Sequence, residues 1–375
     1  MKILFTGGGT GGHFYPIIAI AQEIRNIAYE KKLLEPSFYF MSIDPYNPKV
    51  LAENKITFIS AKAGKIRRYF SLSNFIDPFK SLFGIGQAIL KIYTIYPDVV
   101  FSKGGFASIP ALWAAKILKI PVIVHESDSK PGRANLWAGK FAEKIAVSYP
   151  EAVDYFPKDK TAVTGNPIRK EIKFPIIEGA REFLELKEEL PILLILGGSQ
   201  GAVKINDTII DLLPELTKRY QIVHQTGKNN FTDAESRSKV VLEGTGRDHR
   251  YKPFSYLNDL ATRMSAGACD LIISRAGSTI FEIASWSKPS IIIPIPEDIS
   301  HDQRSNAFTY ARFGACVVIE ENNLSSSVLL SEIDRLFKNP ELLEEMKTGA
   351  TKFARPDSAR LIAEALVDIS LKHEQ

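Results

Sequence analysis

Short apolar runs alternate with longer amphipathic ones along most of the chain. "KILF" (2–5) runs into a glycine turn, and "PIIAIAQEIRNIAYEKK" (16–32) follows with the apolar stripe of a helix. "SFYFMSI", "DVVFS", "PVIVHE", "KIAVS" and "TAVTG" read as further strands, parted by helical segments such as "ASIPALWAAKILK". That alternation predicts an α/β protein with parallel sheets covered on both faces.

The second half repeats the plan. "PILLILGGSQGA" is another strand that ends in glycines, with a helix to follow. A deeper repeat matches "DVVFSKGGFASIPALWAAKILKIPVIVHESD" (98–128) to "DLIISRAGSTIFEIASWSKPSIIIPIPED" (270–298). In each, Asp opens a strand, and Ser, a basic residue and a small pair close it. A helix then leads to Pro and a strand that ends in acids. Each copy is too long for a solenoid unit. Two Rossmann-like, doubly wound domains in tandem account for it, residues 1–166 and 167–355, with the boundary near "GNPIRKEIKFP" (165–175). The tail, 356–375, reads as one more helix: Pro356 breaks the preceding one, and Asp357 or Ser358 can cap it.

Composition narrows the function. A chain of 375 residues can build two cores. The net charge of +4 suits an anionic ligand or surface and does not call for a nucleic-acid partner. The two cysteines, Cys269 and Cys316, have no CxxC spacing and read as buried thiols in a reducing compartment. The six histidines show no HExxH spacing, so neither a metal nor a cofactor is expected. The apolar N-terminus is too short for a signal peptide. No run reaches the roughly 18 apolar residues of a spanning helix, so any membrane contact is expected to be peripheral.

Ligands of open parallel sheets bind beyond the carboxyl ends of the strands, and two such domains face to face would enclose a cleft. Three glycine turns should point into it: "GGGTGG" (7–12), "KGG" (103–105) and "GGSQG" (197–201). Without Cβ, the backbone can present N–H groups to phosphate oxygens, and a helix N-terminus behind each turn adds positive potential. Gly7, Gly9 and Gly12 fit GxGxxG, but the acid that would bind an NAD ribose should lie about 20 residues on, and Asp44 lies later.

His13 follows the first turn. Near a helix start its imidazole should stay neutral and able to take a proton from a sugar hydroxyl; a capping or packing histidine is the other reading. In "HESD" (125–128), Glu126 or Asp128 can orient a sugar or act as a base, and Asp128 can instead cap the following helix. Glu282, in "RAGSTIFEIA", can accept two ribose hydroxyls or lie on a solvated helix face. Gln303 and Asn306 share a helix face and suit sugar hydroxyls. Arg169 can reach a phosphate. Lys62, Lys65, Arg67 and Arg68 beside Tyr69, Phe70, Leu72, Phe75 and Ile76 suit an anionic bilayer surface, or the apolar members belong to a core.

Taken in order, "TGGH", the 98–128 segment, "GNPIR", "GGSQGA" and "RAGSTIFEIA" resemble the MurG family of N-acetylglucosaminyltransferases of peptidoglycan synthesis. The resemblance covers nearly the whole chain. It implies a GT-B fold, with the final helix (356–375) packing back on the first domain. It implies inverting transfer of GlcNAc from UDP-GlcNAc to the C4 hydroxyl of undecaprenyl-pyrophosphoryl-MurNAc-pentapeptide, at the cytoplasmic face of the inner membrane. Donor contacts carry over to Thr10, Gly11, Gly12, Asp128, Arg169, Ser199, Leu257, Ser278, Thr279, Glu282 and Gln303. Gly8, Gly9, Gly104 and Gly105 would hold the acceptor pyrophosphate, and His13 or Glu126 would be the catalytic base. Asp128 stands where the family usually has Asn, and Phe106 where Tyr is common. A UDP-GlcNAc 2-epimerase on the same fold, an NAD dehydrogenase and a non-catalytic sugar-nucleotide sensor are the rival readings.

Overall fold

In the computed structural model, which describes residues 1–63, 73–198, 202–296 and 303–373, Lys2–Thr6 forms strand β1. Its last four residues are buried because both faces are covered. Ile3 and Phe5 point into one layer, where Ile17, Ile20 and Ile24 come from the helix Gly11–Glu30 and Ile362 and Leu366 from the helix Ser358–His373. Leu4 points into the other layer, among Ala88, Ile92, Ala111 and Leu112. The helices Ser73–Ile95 and Ile109–Ile117 pack side by side there.

The chain divides into two units, Met1–Arg169 with Arg355–Gln375, and Lys170–Ala354. The other strands of the first unit are β2 (Ser37–Ser42), β3 (Ile56–Ser60), β4 (Val99–Ser102), β5 (Val122–Glu126), β6 (Lys144–Val147) and β7 (Thr161–Val163). Among the described residues they form a parallel sheet in the order β3-β2-β1-β4-β5-β6-β7. The second unit has β8 (Ile192–Leu196), β9 (Gln221–Gln225), β10 (Tyr251–Phe254), β11 (Leu271–Ser274), β12 (Ser290–Ile292) and β13 (Cys316–Val318). These are also parallel, in the order β10-β9-β8-β11-β12-β13. The two sheets therefore share one winding scheme.

Three expectations about local structure change. The first helix begins at Gly11 rather than Pro16, although Pro16 has no N–H to give the Gly12 carbonyl. The tail helix does begin at Ser358, but the Ser358 hydroxyl donates to the Gly165 carbonyl at 2.8 Å instead of capping it. Strands β3, β9, β10 and β13 were not read from the sequence. Three of these are edge strands, where a half-covered strand needs no continuous apolar run.

Within the second unit, residues 172–177 are bound closely to the helices around Arg263 and Trp286. The Trp286 indole donates to the Ile172 carbonyl at 2.7 Å, and Arg263 Nε to the Phe174 carbonyl at 2.8 Å. Gly267, in the helix Asp259–Ala268, lies against the same segment, and a Cβ there would stand 1.7 Å from the Ile176 carbonyl oxygen. Helix propensity alone would make Gly267→Ala stabilising by up to about 1 kcal/mol. The backbone overlap outweighs that, so G267A should destabilise the protein by about 1–3 kcal/mol, measurable as a lower urea midpoint.

Candidate active site

Each sheet reverses its winding at one point, between β1 and β4 and between β8 and β11, and strand ends at such a point leave room for a ligand. In the first unit the turns after β1 and β4 meet. A Cβ on Gly8 would stand 2.6 Å from that of Ala107. Gly105, at φ +80°, lies against the Gly8 carbonyl and the His13 ring. A side chain at Gly8 would push the turns apart, and one at Gly105 would be strained by the positive φ. Gly9 and Thr10 are exposed, and Thr10 is the N-cap residue of the helix Gly11–Glu30. The first N–H groups of that helix, on Gly11 and Gly12, point out of its positive end.

His13 is the third residue of the helix. Its Nδ1 lies 2.9 Å from the Gly8 carbonyl oxygen. A carbonyl only accepts, so Nδ1 carries the proton and Nε2 the lone pair. Burial, and after it the charge of Lys103, lower the His13 pKa below the usual 6.5; the Gly8 bond and Glu126 oppose this. The ring both braces the turn through Nδ1 and keeps a basic nitrogen at neutral pH.

Glu126 ends β5 and is 4 % exposed. Its Oε1 accepts from the Asp128 N–H at 2.9 Å, and its Oε2 from the Gly132 N–H and Asn135 Nδ2, both at 2.9 Å. Burial, then the charge of Asp128, raise its pKa, against these three bonds. Glu126 thus shapes the loop 127–132. The helix after that loop begins only at Arg133 with Gly132 as its cap, so Asp128 is not the N-cap. Arg169 is brought to the first helix, its guanidinium 4.0 Å from the Tyr15 ring centroid.

One residue escaped the sequence reading. Lys103, between β4 and Gly104, is 1 % exposed, and its Nζ lies 2.6 Å from His125 Nδ1, 2.5 Å from Ser127 Oγ and 3.1 Å from Asn166 Oδ1. Its one signal in the sequence was the basic residue that both repeat copies place after the strand. The counterpart, Arg275, donates to the Ile293 carbonyl at 3.2 Å and pairs with Glu321.

In the second unit, Ser278 precedes the helix Thr279–Ser285, with Glu282 in its first turn. Gln303, at the start of the helix Gln303–Arg312, accepts from the Ile295 N–H at 3.2 Å, and its amide nitrogen stands 3.8 Å from where a Gly277 Cβ would be. Gln303 therefore joins Ser278 and Thr279 at the turn after β11. Asn306 is buried and donates to the Ala276 carbonyl at 3.3 Å, so it holds this turn rather than offering itself to a sugar. Leu257 is buried, and its N–H donates to Gln225 Oε1 at 3.1 Å. Ser199 lies outside the described residues, as do 64–72 of the basic and aromatic stretch.

Two parallel α/β units of one winding scheme, each with glycine-bearing turns at its reversal point, define the GT-B class of fold. The chain belongs to glycosyltransferase family 28: residues 3–147 match the family's N-terminal domain and residues 192–362 its C-terminal domain. A relative from Clostridium perfringens (strain SM101 / Type A) is 38% identical over 349 residues, 92% of this chain and 93% of its own. It is named UDP-N-acetylglucosamine--N-acetylmuramyl-(pentapeptide) pyrophosphoryl-undecaprenol N-acetylglucosamine transferase. A Bacillus anthracis relative, named as transferase 2 of the same kind, is 37% identical over 96% of this chain and 97% of its own. Among solved structures, Acinetobacter baumannii MurG superposes with a TM-score of 0.73 at 22% identity, over 98% of this chain and 99% of that one. UDP-GlcNAc 2-epimerase from Neisseria meningitidis does so at 0.68 and 15%, over 98% of this chain and 100% of that one, a likeness of fold.

The His13 geometry makes a direct prediction. In an NMR pH titration of the histidine ring signals, His13 should show a pKa below 6.5 and the Nδ1–H tautomer at pH 7. A ring that is half protonated above pH 6.5 would contradict the assignment.

Proposed function

We propose that the protein transfers N-acetylglucosamine from UDP-GlcNAc to the C4 hydroxyl of undecaprenyl-pyrophosphoryl-MurNAc-pentapeptide, with inversion at the anomeric carbon. The family and the names of its relatives support the reaction. The observation that carries the mechanism is the His13 ring, fixed by the Gly8 carbonyl at 2.9 Å between two converging glycine turns.

His13 Nε2 takes the proton of the C4 hydroxyl as that oxygen attacks the anomeric carbon. The bond to the UDP oxygen breaks, and its electron pair leaves with UDP. Gly8, Gly9 and Gly105 offer backbone N–H groups to the acceptor pyrophosphate, while Gly104, whose N–H donates to Ser102 Oγ at 3.1 Å, lets it approach the backbone closely. Thr10, Gly11, Gly12, Asp128 and Arg169 in the first unit contact the donor. So do Ser199, Leu257, Ser278, Thr279, Glu282 and Gln303 in the second. Backbone N–H groups and helix N-termini offset the charge that grows on the leaving diphosphate. Glu126 is the weaker choice for the base. Its oxygens already accept three bonds, from the Asp128 and Gly132 N–H groups and from Asn135 Nδ2, which occupy it in holding its own surroundings.

We also propose peripheral binding at the cytoplasmic face of an anionic membrane. No helix among the described residues is long and apolar enough to cross one. The helix Ser73–Ile95 exposes Phe83, Leu90 and Tyr93, and the helix beside it exposes Trp113 and Ile117. Lys116 sits over the Trp113 ring at 5.5 Å. An apolar, aromatic face with a basic rim suits the interface of such a bilayer.

UDP release from UDP-GlcNAc is expected to depend on a short-chain, water-soluble analogue of the lipid-linked acceptor and to yield a disaccharide. Release or sugar isomerisation without acceptor would favour the epimerase, and binding without release would favour the sensor. His13→Ala should lower kcat by about 10²–10⁴-fold with donor affinity kept; near-normal kcat would remove His13 as the base. Vesicles containing anionic lipid should co-sediment the protein at low salt. The double variant Leu90→Ser with Trp113→Ser should bind them less while it still releases UDP with the soluble analogue. Unchanged vesicle binding would place the membrane contact elsewhere.

A further inference from the structure

We propose that Lys103 is a positioning residue of the transfer site, its ammonium tying the glycine turn after β4 to the Ser127–Asp128 loop and to the Asn166–Arg169 segment. The proposal rests on the transferase reading above.

An ammonium has three N–H donors, and here three acceptors from two distant segments meet them: His125 Nδ1, Ser127 Oγ and Asn166 Oδ1. His125 is set to accept, because its Nε2 donates to the Gly165 carbonyl at 3.0 Å and burial keeps the ring neutral. None of the three partners carries a charge. Burying a lysine whose hydrogen-bond partners are all neutral is costly even with Glu126 and Asp128 nearby, and an apolar side chain would serve a purely structural spot better. What the ammonium gains is reach. Through three bonds it fixes backbone on either side of the proposed acceptor and donor contacts Gly104, Gly105, Asp128 and Arg169.

The charged and titratable groups around Lys103 are His13 from the first helix, and His125, Glu126 and Asp128 from the end of β5 and its loop. Burial lowers the Lys103 pKa to about 7, against Glu126 and Asp128. Below that pH, three charge-assisted N–H bonds hold the turn. Above it the neutral amine has two N–H groups left, only Ser127 can turn round to donate, and the bonds lose roughly half their strength. The consequence has a definite sign: kcat/KM, which reports the free enzyme, should fall as pH rises through about 7.

The test compares the whole protein with Lys103→Met and Lys103→Arg. K103M should lose up to about 100-fold in kcat through misplacement of the reacting groups. It should also lose the alkaline fall, and K103R, which keeps the charge, should restore part of the activity. Amide hydrogen exchange in K103M should speed up together at 104–106, 127–132 and 164–169. An alkaline fall that K103M retains, or unchanged exchange in those three segments, overturns the proposal. If K103M does not fold, Ser127→Ala and Asn166→Leu, each cutting one tether, should loosen their own segments by exchange, and no loosening overturns it equally. Exchange needs no turnover. A wild-type protein that fails to release UDP would therefore count against the transferase reading alone, while exchange still decides the role of Lys103.

Discussion

The parallel pairing of β1 with β4, from Ile3 opposite Val99 to Thr6 opposite Ser102, is the constraint on which the first unit depends. It puts two strand ends less than about 5 Å apart, both releasing their chains on the same side of the sheet. The turns that leave them have to cross at van der Waals distance, which is why Gly8 meets Ala107 and Gly105 meets Gly8 and His13. The β8–β11 pairing, Leu193 opposite Leu271 to Leu196 opposite Ser274, sets two strand ends side by side in the second unit as well. One framework then serves two chemistries. The basic residue after the strand is a lysine among neutral acceptors in one unit, and an arginine paired with Glu321 in the other.

Burial acts on the titratable groups of the first site in opposite senses and to one end. It lowers the pKa of His13 and His125 and raises that of Glu126, in each case favouring the uncharged form. With the two imidazoles held neutral, backbone dipoles at the glycine turns are what an anionic acceptor would meet there. The three bonds that Glu126 accepts resist this shift by stabilising its carboxylate, and two of them also hold the loop that carries Asp128.

What could be read in the sequence follows from how local its cause is. Central strands such as β1, β4, β5, β8 and β11 announced themselves as apolar runs because both faces are covered. Strand β9 did not: of "QIVHQ", both glutamines and the histidine are buried, and His224 is satisfied by Asn206 and Tyr251, 18 and 27 residues away. Strand β10 carries Pro253, which only an edge position tolerates. At the site, the glycines and His13 were legible because the contact to Gly8 spans five residues. Lys103 was not, because its partners lie 22, 24 and 63 residues on and nothing local marks them. The two readings of Asp128 could be separated only by where the next helix starts, and a Pro-Gly pair at 131–132 moved that start to Arg133.

The helix Ser358–His373 gives the first unit Ile362, Leu366 and Val367, and it is clasped there by the Arg360 fork on Glu30, at 2.9 and 2.6 Å. Between these parts of one core lie the 185 residues of the second unit, Lys170–Ala354. A ribosome delivers the second unit whole while the first still lacks one wall. Newly made β1 and the helix Gly11–Glu30 must keep an apolar surface open through all of that synthesis, which makes the first unit, started earlier, the later of the two to close.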